Sequence, residues 1–310
     1  MSPVTLFIRT ATTFTPDGAL DTDALRQYLQ RFVDNGHGVY LASAGSGEGN
    51  ALSWEELRQV YRVGVETGQG KIPVHANQPD RHTARDSIDQ ARLAIEAGVD
   101  MVNIYGPANV HGYRATDEEY QRYFDRVLAE IKHPVALAPN PSTGYAPPGP
   151  VIAAIANKYH QVQTVNLSGQ DDAYFVALKD ALTRPVDINA PFVGAFNTLP
   201  MGAAGLQSAE ANAIPRTFRL FLDAYQAGQL DRAGELYAGI RRLGRFTARW
   251  KSSSPRVHKM AMKVLGIPGG QGGVRLPYLM PPLQEQEEFA AGLKALGLAE
   301  IDEAVAVAAN

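Results

Sequence analysis

Cysteine is absent from the 310-residue chain, which excludes disulfides, thiolate zinc sites and a cysteine nucleophile. No apolar run approaches the length of about 18 residues that a membrane helix needs. The opening segment MSPVTLFIRTATTF lacks the charged and apolar regions of a signal peptide, so a cytoplasmic location is the expectation. The net charge is only −3 and no basic cluster stands out. Neither nucleic acid nor a membrane surface is therefore an expected partner. A dinucleotide fingerprint is missing as well. The one glycine-rich turn, Gly45-Ser46-Gly47-Glu48-Gly49, follows the second apolar run and misses the G-x-G-x-x-G spacing. No cofactor is assigned.

What is present is alternation. The apolar runs are Thr5–Thr13, Val39–Ala42, Ile72–Ala76, Met101–Tyr105, Val135–Ala138, Val162–Leu167, Val186–Asn189 and Gly205–Ala209. Each is trailed by helix-compatible sequence. In the first helix, opening near Asp21, Leu25, Tyr28, Leu29, Phe32 and Val33 share one face, and Asn35-Gly36 closes it. Ser53…Glu56 and Thr116…Glu119 read as capping boxes, and Gly98 ends a helix over 83–97. Eight strand–helix repeats of about 25–30 residues predict an α/β fold, a (β/α)8 TIM barrel, over residues 1–225. Residues 226–310 read as a helical extension, with helices over 231–250, 255–265 and 285–296 and a Gly/Pro-rich connector at Gly266–Pro282.

Several motifs then converge on one family. Thr12-Thr13-Phe14 is similar to a first-strand T-P-F motif, and Ser46-Gly47-Glu48 with Leu52-Ser53 and Glu55-Glu56 to a T-G-E-x-x-x-L-S-x-E-E turn. Pro107, Pro141-x-x-Gly144, Ser168-Gly169, Pro255–Lys259, Leu265-Gly266 and Gly273–Pro277 fall in matching places. The chain resembles the dihydrodipicolinate synthase/N-acetylneuraminate lyase family, pyruvate-dependent class I aldolases on a (β/α)8 barrel with three C-terminal helices. The resemblance implies a homotetramer made of two dimers, with Pro107–Tyr113 near the dimer contact. It also places the family's Schiff-base lysine at Val165, or at Asn166 if shifted by one residue. The relay tyrosine falls at Ala138, the tyrosine lent to a neighbouring subunit at Ala108 or Asn109, and the carboxylate-holding arginine has no counterpart in Ser142-Thr143. Of the paired hydroxyls that grip a carboxylate, the first is Gly45 and only Ser46 remains. The eight lysines of the chain all read as loop or helix residues. A helix-surface amine of pKa roughly 10.4 does not form an imine near neutral pH. The ordinary aldolase chemistry is therefore expected to be absent.

Chemistry in barrel enzymes sits at the C-terminal ends of the strands. Here those ends supply Ser43, Ser46, Glu48, His75, Asn77, Asn103, Tyr105, Asn140, Asn166, Asn189, Glu210 and Asn212. An asparagine-rich surface suits hydroxyls and carbonyls of a small oxo- or hydroxy-acid. Glu48 and His75 are the expected acid/base groups, with Gly45, Ser46, Asn103, Asn140, Asn166, Asn189 and Glu210 as substrate-binding positions. Each has a plainer reading. His75 also fits a core histidine bonded to a carbonyl, Glu48 a turn support, and the asparagines loop-satisfying groups. His75, Glu48 and Glu210 have the ligand types of a metal site, yet no pair shows helix spacing, and no metal is assigned. The expected function is a diverged lyase or hydratase-like enzyme without imine chemistry. The alternative is a non-catalytic family member that binds a small ligand or serves as a subunit.

Overall fold

The computed structural model describes residues 4–251 and 254–308; residues 1–3, 252–253 and 309–310, which fall within the two expected domains, lie outside it. Eight strands close into a parallel barrel in chain order. They are β1 (Thr5–Arg9), β2 (Gly38–Leu41), β3 (Val74–Asn77), β4 (Met101–Tyr105), β5 (Val135–Ala138), β6 (Val162–Asn166), β7 (Asp187–Pro191) and β8 (Gly205–Ser208). Helices α1 (Thr22–Asp34), α2 (Trp54–Gly68), α3 (Ala84–Glu96), α4 (Asp117–Glu130), α5 (Gly149–Lys158), α6 (Asp172–Ala181), α7 (Ala195–Thr198) and α8 (Pro215–Gln226) follow the strands in turn. The strands read as near-continuous apolar runs because both faces of a parallel barrel sheet are covered.

Helix starts follow local chemistry. Ser53 and Glu56 form a reciprocal capping box on α2, and Thr116 and Glu119 form another on α4. Asp21 caps α1 by accepting from the Ala24 N–H, and Leu25, Tyr28, Leu29 and Phe32 are its buried face. Gly36, at φ 64, takes the left-handed position after α1, where a side chain would be strained.

Two readings change. β1 ends at Arg9 rather than Thr13, because the following residues leave the sheet and serve as loop anchors: Thr12 Oγ1 donates to Gly47 O at 2.6 Å. The C-terminal extension holds α9 (Leu230–Thr247), α10 (Pro255–Val264), α11 (Leu283–Lys294) and also α12 (Ala299–Ala308). Among the described residues that makes four helices where three were expected. The segment forming α12 is alanine-rich with only Ile301 buried, so it carries little of the apolar periodicity that marks the others.

By internal contacts the chain forms two compact units. One is chiefly Leu6–Pro73 with Ser208–Asn310, the other chiefly Val74–Gln207. Among the described residues no helix is long and apolar enough to cross a membrane.

Candidate functional site

In the first unit the chemistry gathers around the turn that follows β2. Ala42 (φ 58) and Glu48 (φ 51) both adopt left-handed backbone, a conformation that non-glycine residues hold only when their surroundings impose it. Between them Gly47 packs so closely on Ser43 N and Ala42 Cα that an added Cβ would lie 2.7 and 2.9 Å from those atoms. Three distant segments hold the turn. Thr12 binds Gly47 O. His258 Nε2 lies 3.0 Å from Ser46 Oγ, both residues being buried. The backbone N–H of Arg275 donates to Glu48 Oε1 at 2.8 Å.

Glu48 is wholly buried, and its Oε2 has no hydrogen-bond partner among the described residues. Burial pushes its carboxyl above the ordinary value, opposed by the Arg275 N–H and by the charges of Lys259 and Arg275. Lys259, on α10, is also wholly buried; its ammonium donates to Thr12 O and lies 4.8 Å from the Phe14 ring centre. Burial lowers this amine to about 8, offset in part by Glu48. This corrects the expectation that every lysine is an ordinary helix or loop amine. The residue is on a helix as expected, but on its buried face. Arg275 grips Glu56 with two nitrogens at 2.6 and 2.8 Å, and the pair holds Glu56 down to about 2. His258 stays neutral, lowered to about 3 by burial and by the charges of Arg9 and Lys259.

Gly45 lies in the same turn, its carbonyl accepting from the Glu48 N–H at 3.3 Å. Glu210 stands elsewhere in this unit. Its Oε2 accepts from Ser208 Oγ at 2.8 Å, and Ser208 Oγ in turn accepts from the Ala211 N–H, a local turn lock.

In the second unit, asparagines from four strands join into one directional chain. Asn189 Nδ2 donates to Asn166 Oδ1 (2.9 Å), Asn166 Nδ2 to Asn103 Oδ1 (2.7 Å) and Asn103 Nδ2 to Asn77 Oδ1 (2.5 Å). All four are buried. Side chains alternate along a strand, so Asn166 shares the face of this chain while Val165, wholly buried, faces the other way. Small neighbours make room for it: a Cβ on Gly205 would meet Asn189 Oδ1 at 2.4 Å. His75 precedes Asn77 by two residues and shares its face. Burial drives its imidazole down to about 3, so it is neutral across the physiological range. Asn140 stays out of the chain; its Oδ1 accepts from the Ser142 N–H at 2.9 Å and caps a short turn.

Asn103, Asn166 and Asn189 are thus brought together, as are Gly45, Ser46 and Glu48, whereas Asn140 and Glu210 are engaged in their own turns. Sequence reasoning missed Arg9, His258, Lys259 and Arg275. The Pro255–Lys259 and Gly273–Pro277 motifs flagged the last three positions but not what they touch. Among the described residues no three His, Cys, Asp or Glu side chains gather as they would around a metal ion.

Residues 4–296 match the dihydrodipicolinate synthetase family. A 4-hydroxy-tetrahydrodipicolinate synthase from Moorella thermoacetica is 28% identical over 291 residues, spanning 93% of this chain and 96% of that protein. An uncharacterized DapA-like lyase from Rhizobium meliloti is 27% identical over 279 residues, 88% of this chain and 89% of its own length. Among solved structures, YagE, a prophage protein of the dihydrodipicolinic acid synthase family from E. coli K12 in complex with pyruvate, has a TM-score of 0.86 at 20% identity, covering 96% of this chain and 100% of that one. Dihydrodipicolinate synthase from Aquifex aeolicus gives 0.85 at 20% identity, with 95% and 98% covered. At such identity the structural likeness speaks to the fold.

Proposed function

The chain belongs to the dihydrodipicolinate synthetase family, and from that premise we propose that it is a diverged lyase or hydratase-like enzyme for a small oxo- or hydroxy-acid, working without an imine. The observation that carries this reading is the asparagine chain: β6 offers it the Asn166 amide and contains no lysine. Amide N–H groups stabilise charge developing on a carbonyl or hydroxyl oxygen without forming a covalent bond. Glu48 is the proton-handling residue, because its carboxyl is raised by burial and one of its oxygens has no partner among the described residues. His75, held neutral, serves as a hydrogen-bonding group more readily than as a proton carrier. Gly45, Ser46, Asn140 and Glu210 remain proposed binding positions. As part of the same reading the protein is a cytoplasmic homotetramer of two dimers. Its interface includes the Pro107–Tyr113 loop, where Val110 and Tyr113 are exposed.

The test is proton NMR of the full-length protein in deuterated water with a panel of 2-oxo, 2-hydroxy and 3-hydroxy acids. Exchange at C3 of a 2-oxo acid or at C2 of a hydroxy acid, or turnover, is the expected result, slowed at least roughly 10²-fold by Glu48→Gln. Wild-type protein inert toward the whole panel would leave the alternative, a family member that binds without catalysis.

A further inference from the structure

Three arginines that leave water elsewhere in this protein are met by oxygen atoms. Arg275 has Glu56 and the Gly18 carbonyl; Arg31 has the carbonyls of Asn212 and Ala213; Arg184 has those of Ala156 and Tyr159. Arg9 differs. It lies at the end of β1, half-buried, with Nε enclosed and, among the described residues, without a hydrogen-bond partner. Among the described residues no carboxylate lies within ion-pair distance of it.

Its direction follows from the strand. Arg9 pairs in register with Tyr40 of β2. Phe7, two residues earlier on the same face, stacks on the Tyr40 ring at 4.9 Å, while Leu6 and Ile8 of the opposite face are wholly buried. Tyr40 leads directly into the Ser43–Glu48 turn, and the Arg9 charge is felt by His258, the partner of Ser46. A half-buried guanidinium without a counter-ion is unfavourable unless a ligand supplies one.

We propose that Arg9 is a ligand-binding residue whose guanidinium receives the carboxylate of a small acid beside the Ser46–His258 pair. This rests on the reading of the ligand as a small oxo- or hydroxy-acid, and adds the residue that fixes its charged end. A carboxylate fits better than a phosphate. The guanidinium fork matches two coplanar oxygens. The neighbouring His258 is neutral and contributes no second charge for a dianion.

The experiment is thermal unfolding of the full-length protein at fixed ionic strength, with acetate, pyruvate, acetamide or inorganic phosphate replacing chloride. Acetate and pyruvate raise the wild-type midpoint in proportion to log concentration, and acetamide and phosphate do not. Arg9→Gln weakens the apparent carboxylate affinity roughly ten- to hundredfold, whereas Arg85→Gln, at a 90% exposed side chain, leaves it unchanged. Arg9→Lys keeps the charge without the fork and falls between the two, which preserves the test should Arg9→Gln fold poorly. Equal responses of wild type and Arg9→Gln, a wild type deaf to both carboxylates, or a preference for phosphate would each overturn the assignment. A carboxylate response lost in Arg9→Gln, with no turnover in wild type, keeps this inference and discards the enzymatic reading. Full turnover and affinity in Arg9→Gln does the reverse.

Discussion

Replacing Lys259 by methionine isolates the cost of a buried ammonium. The wild-type amine is wholly buried, and its fall from 10.5 to about 8 corresponds to about 3 kcal/mol between its charged and neutral forms. The sign follows from proton counts. Between pH 8 and 10.5 the unfolded chain holds this proton while the folded chain has released it, so folding gains stability as pH rises through that window. Below pH 8 both states are protonated and the penalty is constant. Methionine keeps an apolar stem and carries no charge. Its loss of the bond to Thr12 O shifts stability by an amount independent of pH. Urea unfolding of both proteins from pH 7 to 10.5, at one protein concentration, should show wild type gaining about 3 kcal/mol on the variant. In a Glu48→Gln background the gain should begin at lower pH, since Glu48 favours the charged amine. A stability difference that stays flat across the range would refute the claim that this amine is desolvated.

Incubation with pyruvate and borohydride should leave the protein mass unchanged, because β6 carries no lysine; a pyruvate-sized adduct, above all on Lys259, would restore an imine mechanism. His37, His75 and His258 are pushed by burial to about 4, 3 and 3. Stability should therefore be lost as pH falls from about 6.5 toward 3, and His75→Asn should flatten that loss in acid-unfolding curves. Light scattering at micromolar concentration should report a homotetramer, and a monomer there would count against the proposed assembly.

Much of the fold was legible because its signals are local. Capping boxes at Ser53 and Thr116 and the apolar stripe of α1 involve residues within a turn or two of one another, so no tertiary knowledge was needed to place them. The turn holding Ser46 and Glu48 was legible for the same reason, since its short pattern lies in one stretch. The face of β6 was not. Thr164, Val165 and Asn166 are all buried, so burial alone does not reveal which side chain points where. Only the hydrogen bonds of Asn166 to strands 23 and 63 residues away decide it.

The sequence by itself determined that eight strands alternate with helices, that cysteine chemistry is absent, and that no lysine lies in β6. Those properties depend on residue identity and short-range spacing. Tertiary structure alone decided the ionic state of the candidate site. His258 reaches Ser46 across 212 residues, and the Arg275 backbone reaches Glu48 across 227. Whether Lys259 is an exposed cation or a desolvated amine depends on which face of α10 is buried, and on what. Desolvation is set by everything packed around a group, and a buried charge is tuned by neighbours that the chain brings in from its far end.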